Sequence, residues 1–344
     1  MPAFDMAAAK ASEERWNSIA KPLGSLGRLE RMVVRIAGFT GDSRYSIAKR
    51  VLLVLCADNG VAHRGVCQAG SEVTAALARC LARGNISVCK MASVAKVDVV
   101  GVDMGMAEDA RLPKKFLNRR VAAGTADLSV GPAMTRKQAV AAIQHGIDLA
   151  KAMKKKGYRL LLTGEIGMGN TTTSSALAAV LLGRGPAEVT GRGAGLSDEG
   201  LRRKIGVIEN AIARNRPDPG DALDVLAKLG GFDIAGMAGI FLGGAQHRIP
   251  VLVDGFISSM AALVALRLCP RAGDAMLASH VSAEPAGKLI LNELGLEPLI
   301  CADLCLGEGT GAVAALPLLD MAYAVYNDMI TYGDLAAAAG KPRA

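Results

Sequence analysis

Arg159-Leu160-Leu161-Leu162-Thr163-Gly164-Glu165-Ile166-Gly167-Met168-Gly169-Asn170-Thr171-Thr172-Thr173 reads as a strand, a glycine-framed turn and the opening of a helix. The first five residues are apolar or β-branched without alternation after Arg159, the pattern of a strand covered on both faces. Outward from it, residues 51–56, 97–102 and 251–253 repeat the pattern, and residues 86–89 and 276–278 are further strand candidates. Helical patterns fill the gaps at residues 71–82, 135–155, 172–182, 198–214, 233–246, 256–268 and 284–294. Thr135 with Gln138 forms a capping box, and Asp198 and Glu199 stand four residues before Arg202 and Arg203 on one helix face. Strands alternating with helices predict an α/β domain with a mostly parallel sheet. Residues 7–20, 28–38 and 310–329 are helical with no strand between, which predicts a small helical domain built from both chain ends; residues 340–344 are expected to fray.

The strand exits share a character. Residues 51–56 leave into Asp58-Asn59-Gly60, 97–102 into Asp103-Met104-Gly105, 159–163 into Gly164-Glu165, 251–253 into Asp254-Gly255 and 276–278 into Ser279-His280. Ligands of open parallel sheets bind beyond the carboxyl ends of the strands. Five polar, glycine-bearing exits therefore describe the rim of one crevice.

Composition narrows the function. The 344 residues are 51% hydrophobic and 21% charged, enough for a sizeable core. Aromatics are 3%, too few for base-stacking platforms. The net charge of +8 is scattered in short groups such as Lys154-Lys155-Lys156 and Arg202-Arg203-Lys204, without a nucleic-acid reading motif. Seven cysteines with no CxxC pair and four separated histidines predict no metal site; Cys301 and Cys305 are expected to be buried free thiols by a strand end. No signal peptide is evident, and apolar stretches such as residues 256–266 are too short for a bilayer, so a cytoplasmic location and no membrane partner are expected.

The chemistry lies in two glycine-framed glutamates, Glu165 and Glu308 of Gly307-Glu308-Gly309-Thr310-Gly311. Glycines bring backbone close to a ligand, and helix N-termini favour anions. A carboxylate there would repel phosphate, so the better reading is a pocket that holds an anionic substrate on backbone and uses the carboxylate for chemistry. The Glu165 turn lacks the Gly-Lys-Ser/Thr ending of a P-loop and does not match GxGxxG. Its threonines contact an anion or simply cap the helix. Gly191-Arg192-Gly193-Ala194-Gly195 leads into the helix carrying Lys204, which is either a phosphate ligand or a solvated surface lysine. Glu308 is either a general base with a raised pKa or a turn residue in water.

Seven segments in order resemble the nicotinate-nucleotide:dimethylbenzimidazole phosphoribosyltransferase family of cobamide lower-ligand activation. They are Lys21-Pro22-Leu23-Gly24-Ser25-Leu26-Gly27-Arg28-Leu29-Glu30, Ala57-Asp58-Asn59-Gly60-Val61, residues 164–172, residues 230–237, Leu252-Val253-Asp254-Gly255-Phe256, Ser279-His280-Val281-Ser282-Ala283-Glu284 and Leu306-Gly307-Glu308-Gly309-Thr310-Gly311-Ala312. The resemblance implies a doubly wound, Rossmann-like α/β domain over residues 40–308, with helices on both faces of a mostly parallel sheet, and a small helical domain from residues 1–39 and 309–344. It implies a homodimer, or a heterodimer with a paralogue, acting on nicotinate mononucleotide and an aromatic base such as 5,6-dimethylbenzimidazole, with no cofactor. Glu308 resembles the general base and Glu165 a second active-site carboxylate. Gly167, Gly193, Lys204 and Ser282 match phosphate-side positions; Met168, Asn170, Asp254 and Leu306 match other substrate-binding positions. The nicotinate leaving group is already cationic, so the resemblance calls for no metal to expel it. Four positions depart from the family. Ala69 and Leu77 stand where a serine and a glutamine of the base pocket are frequent, Cys305 where arginine is common, and Asn59 where histidine is frequent. They leave open a purine or phenolic acceptor, a partner-dependent paralogue, or a non-catalytic nucleotide-binding subunit.

Overall fold

The computed structural model describes residue 1 and residues 3–339 and places the apolar runs at its centre. The strands are β1 (Arg50–Ala57), β2 (Asp98–Gly105), β3 (Leu117–Asn118), β4 (Leu160–Ile166), β5 (Val251–Val253) and β6 (Met276–Ala278). The helices up to the middle of the chain are α1 (Met6–Ser18), α2 (Arg28–Thr40), α3 (Glu72–Ala82), α4 (Ser87–Val94), α5 (Arg136–Lys155), α6 (Asn170–Leu181) and α7 (Pro186–Val189). They continue with α8 (Asp198–Asn215), α9 (Ala222–Leu229), α10 (Phe232–His247), α11 (Phe256–Leu268), α12 (Gly287–Glu293), α13 (Thr310–Asp328) and α14 (Tyr332–Ala338). The sheet runs β3-β2-β1-β4-β5-β6, and every neighbouring pair is parallel. In such an order the chain turns outward in opposite directions from β1 and β4, which opens a crevice at their carboxyl ends.

All eight residues of β1 are buried because helices cover both faces. Val51, Leu53 and Leu55 join one core with α5, α6, α10 and α11. Leu52, Val54 and Cys56 join a second with α2, α3, α4 and α13. Each such Val or Leu contributes about 1.5–3 kcal/mol of transfer free energy. The predicted α/β class and doubly wound parallel sheet are therefore observed. At the chain ends, Trp16, Ile19, Val33, Ala322 and Tyr326 form a separate cluster, with the Trp16 and Tyr326 rings 5.0 Å apart. The first half of α13, through Val313 and Leu316, packs on the sheet face instead.

Three expectations need correction. Residues 86–89 are not a strand: Ile86 is extended, but Ser87 begins α4, whose Val88 and Ala92, one turn apart, bury a face. Period-four burial outweighs the β-branched composition there. Asp198 pairs with Arg192 rather than Arg202, while Glu199 does pair with Arg203 at 3.0 Å. Cys301 and Cys305 are exposed, because residues 301–306 run over the surface before α13. The Thr135–Gln138 capping box forms as predicted. Residues 340–344 lie outside the described residues.

Candidate active site

Glu165 is the penultimate residue of β4, and its side chain is buried. Its Oε2 accepts a hydrogen bond of 2.5 Å from Asn170 Nδ2, and its Oε1 accepts the Glu308 N–H at 3.4 Å. Burial pushes this carboxyl well above the usual carboxylate range, the Asp233 charge adds to the rise, and the Asn170 bond opposes it. Asp233, in the first turn of α10, accepts the Ile234 N–H at 3.0 Å and a 3.3 Å bond from the same Asn170 amide. Burial raises it as well.

Glu308 lies in a turn of three consecutive left-handed residues, Gly307 (φ 83°), Glu308 (φ 62°) and Gly309 (φ 92°). A non-glycine residue there is strained and needs its surroundings to hold it. The surroundings are specific. Glu308 Oε2 accepts the Val88 N–H at 3.2 Å, at the start of α4. The Glu308 carbonyl sits so close to Gly164 that a Cβ there would lie 2.4 Å from it. Burial raises the Glu308 pKa, the Val88 N–H counteracts it, and the Asp254 charge adds a smaller rise.

Asp254, immediately after β5, accepts the Gly309 N–H at 3.1 Å and the Ala312 N–H at 2.9 Å. It thereby caps α13 from 55 residues away in sequence. These amides are spent on a protein carboxylate, so this part of the second glycine turn does not offer the anion seat its sequence suggested. Burial pushes Asp254 up and His280 down, each partly offset by the other's charge.

These groups border one cavity of about 260 Å³ at the carboxyl ends of β4 and β5. Of the residues singled out from the sequence, Glu165, Gly167, Met168, Asn170 and Gly193 line it, and so do Asp254, Ser282, Leu306, Glu308 and Leu77. Ala69 does not; it sits in the half-buried segment before α3 and its carbonyl accepts the Cys67 thiol at 3.2 Å. Lys204 is one layer behind the wall. It is fully buried, and its Nζ donates to Thr171 Oγ1 at 2.9 Å and to Gly191 O at 3.1 Å. Desolvation lowers its pKa to about 8, against the Glu284 charge. The surface-lysine alternative is thus excluded. Asn59 does not line the cavity; it clamps the Glu165 turn through its backbone N–H and Nδ2, both bonded to Met168 O.

Sequence reading missed Thr171 as the partner of Lys204, and also Glu284 and the α11 residues Phe256, Ile257 and Ser258 in the wall, whereas His280 lines it as the strand-exit reading expected. Glu284 Oε1 accepts the Gly193 N–H at 3.1 Å. Its signal was available, since Ser282 and Glu284 share one strand-exit segment. Among the described residues no cluster of three or more His, Cys, Asp or Glu side chains is arranged to hold a metal, and no helix is long and apolar enough to cross a membrane.

The arrangement sets a buried lysine behind one part of the cavity wall and, along another, carboxylates that have no lysine or arginine partner among the described residues. The sequence profile described as phosphoribosyltransferase matches residues 1–336. The chain is 44% identical over 331 residues to the nicotinate-nucleotide–dimethylbenzimidazole phosphoribosyltransferase of Ruminiclostridium cellulolyticum, covering 96% of this chain and 94% of that one. The chain belongs to this phosphoribosyltransferase family. A Roseiflexus enzyme of the same name is 46% identical over 338 residues, covering 98% of this chain and 96% of that protein. The crystal structure of CobT from Thermus thermophilus superposes with a TM-score of 0.90 at 37% identity, covering 98% of this chain and all of that one. The transferase is therefore an enzyme whose cavity stands where doubly wound sheets bind ligands.

Proposed function

We propose that this transferase moves 5-phosphoribose from nicotinate mononucleotide to a ring nitrogen of 5,6-dimethylbenzimidazole or a related base, yielding an α-ribazole phosphate and nicotinate. The observation that carries the reading is the meeting of Glu308 and Glu165 on one cavity wall whose other end holds Gly193 and, behind Thr171, Lys204. Glu308 removes the azole proton as the second nitrogen attacks, a contribution of about 10²–10⁴-fold. Its raised pKa brings it nearer the azole's working range than a solvated glutamate. Glu165 faces the ribosyl centre, where departure of the cationic nicotinate ring leaves oxocarbenium character that an adjacent carboxylate stabilises. The phosphate is held by the Gly193 and Gly167 backbone, Ser282 and the Lys204–Thr171 pair, with Met168, Asn170 and Asp254 framing the donor. Leu77 and Leu306 form the apolar seat of the acceptor ring, near Ala69.

The same reading takes residues 40–308 as the catalytic domain and residues 1–39 with 309–344 as a helical one, and takes the working form as a cytoplasmic homodimer. The test supplies purified protein with nicotinate mononucleotide and a panel of benzimidazoles, purines and phenols, and identifies products by mass. Stoichiometric release of nicotinate with a ribosylated benzimidazole is expected. Absence of turnover with every base, regained only on adding a paralogous chain, would replace this reading with a partner-dependent one.

A further inference from the structure

Asn170 presents both protons of one amide to two buried carboxylates. Nδ2 donates to Glu165 Oε2 at 2.5 Å and to Asp233 Oδ2 at 3.3 Å. Gly167 lies against the pair, where a Cβ would stand 3.0 Å from Asp233 Oδ2 and 2.4 Å from Ala57 O, so the approach depends on glycine. Glu165 borders the cavity; Asp233 is fully buried and does not. A second observation concerns Asn59. Its Nδ2 is committed to Met168 O, while its buried Oδ1 has no hydrogen-bond partner among the described residues. That orphaned oxygen and Asp233 Oδ1 face the same space beside Gly231, where a Cβ would lie 2.2 Å from one and 2.4 Å from the other. Both oxygens therefore border the same space, and of the two only Asp233 Oδ1 has a donor, the Ile234 N–H at 3.0 Å.

We propose that Asp233 is a positioning residue for the transfer reaction, which through the Asn170 amide holds Glu165 at the cavity wall and keeps the pair at one negative charge rather than two. Two ionised carboxylates bridged by a single amide and buried together repel strongly, so the pair retains one proton and titrates as a unit. In the resting pair the charge lies on Asp233, whose carboxyl rises only to about 6, and the proton on Glu165, which burial and the Asp233 charge push well above the usual range; the cationic nucleotide and the ribosyl centre draw the charge onto Glu165. The charges facing the pair are acidic. Asp58 follows β1, Asp254 follows β5, and Cys56 lies below on β1; Glu308 contributes its backbone N–H. His280, beside Asp254, is lowered by burial and partly restored by the Asp254 charge.

The inference rests on the reading of Glu165 as an ionised active-site carboxylate, and its test separates the two. The experiment is the pH dependence of kcat with nicotinate mononucleotide and 5,6-dimethylbenzimidazole for the full chain, with folding checked by thermal unfolding. Asp233→Asn removes a charge that holds the Glu165 proton on, so the acid limb moves to lower pH. Each unit of displacement appears as about tenfold higher relative rate at the foot of the limb. Asn170→Ser leaves both carboxylates but deletes the bond that favours Glu165 ionisation, so the limb moves to higher pH. In a Glu165→Gln background, Asp233→Asn moves nothing. Wild-type limbs in both single variants, a shared loss of rate without any shift, or a shift in the opposite sense would overturn the proposal. A Glu165→Gln enzyme with wild-type kcat would instead remove the reading beneath it.

Discussion

Replacing Gly164 by alanine tests whether the Glu308 turn is held by close backbone approach. The added Cβ would lie 2.4 Å from the Glu308 carbonyl oxygen, 2.7 Å from its carbon and 2.9 Å from Gly309 N. Ordinary contact begins near 3.5 Å, so the turn must retreat by about 1 Å. Backbone on both sides leaves no flexible side chain to absorb the strain. Overpacking of this kind costs about 1–3 kcal/mol. At roughly 2.1 cal/mol/K of unfolding entropy per residue, a chain of this length loses about 1.4 °C per kcal/mol, hence ~1.5–4 °C in Tm. The effect on rate is larger. A displacement near 1 Å at a reacting group costs on the order of 10²-fold, and removal of the Glu308 side chain sets the most this route can lose. The assay is kcat for Gly164→Ala beside Glu308→Ala, with calorimetry on both. A Gly164→Ala enzyme with wild-type kcat would refute the idea that this contact positions the base. A loss far beyond that of Glu308→Ala would show that the turn organises Glu165 as well, through the bond from Glu308 N–H.

Glu308→Ala should lower kcat by about 10²–10⁴-fold while leaving the fold intact. Because the base works ionised and burial raises its pKa, wild-type kcat/KM should rise with pH along a limb lying above the ~4.3 of a free glutamate, and Glu308→Gln should leave only the contribution of Glu165 to that limb. Lys204→Met should raise KM for the mononucleotide by roughly 10- to 150-fold, from the ~1.5–3 kcal/mol of a charge-assisted bond, with kcat little changed. Since desolvation lowers Lys204 to about 8, the lysine is charged below that pH and neutral above it, and wild-type KM should climb as pH passes through 8. Glu284→Gln should lower KM at pH 7 by roughly fivefold, since the substrate phosphate then displaces a neutral rather than a charged acceptor from Gly193 N–H, a difference of about 1 kcal/mol. An unchanged or higher KM would mean that Glu284 serves the loop rather than competing for its amide.

The sheet was readable because its strands are apolar on both faces, and β1 and β4 needed only that pattern. β3, two residues long, carries no pattern to read. α4 was misread because Ile86 and Val88 favour strands locally, while the contacts that settle the matter, Val88 N–H to Glu308 and the packing of α4 on α13, come from residues more than 200 positions away. The glutamates could be found because glycine on either side of an acid is costly without purpose. The state of Lys204 could not, since Arg202-Arg203-Lys204 looks solvated until Thr171 and Gly191 are folded over it. Likewise nothing near Asp254 in sequence announces that it caps α13.

That cap bears on how the cavity divides its labour. With Gly309 and Ala312 amides bonded to Asp254, the positive end of α13 is partly neutralised, and an anion gains less there than the glycine turn promised. Gly193, by contrast, gives its amide to the side chain of Glu284, and Lys204 stands behind the same wall. On the proposed reading the phosphate is therefore drawn to the Gly193 end. Burial raises the pKa of Glu165, Asp233, Asp254 and Glu308 alike, and none of them has a lysine or arginine partner among the described residues. A purely anionic ligand would deepen that deficit. A ligand with a phosphate at one end and a cationic ring at the other satisfies both ends at once, and loses its hold on the carboxylate end when the ring departs neutral. The same imbalance that makes the cavity costly to fold then favours release of the spent base over its return.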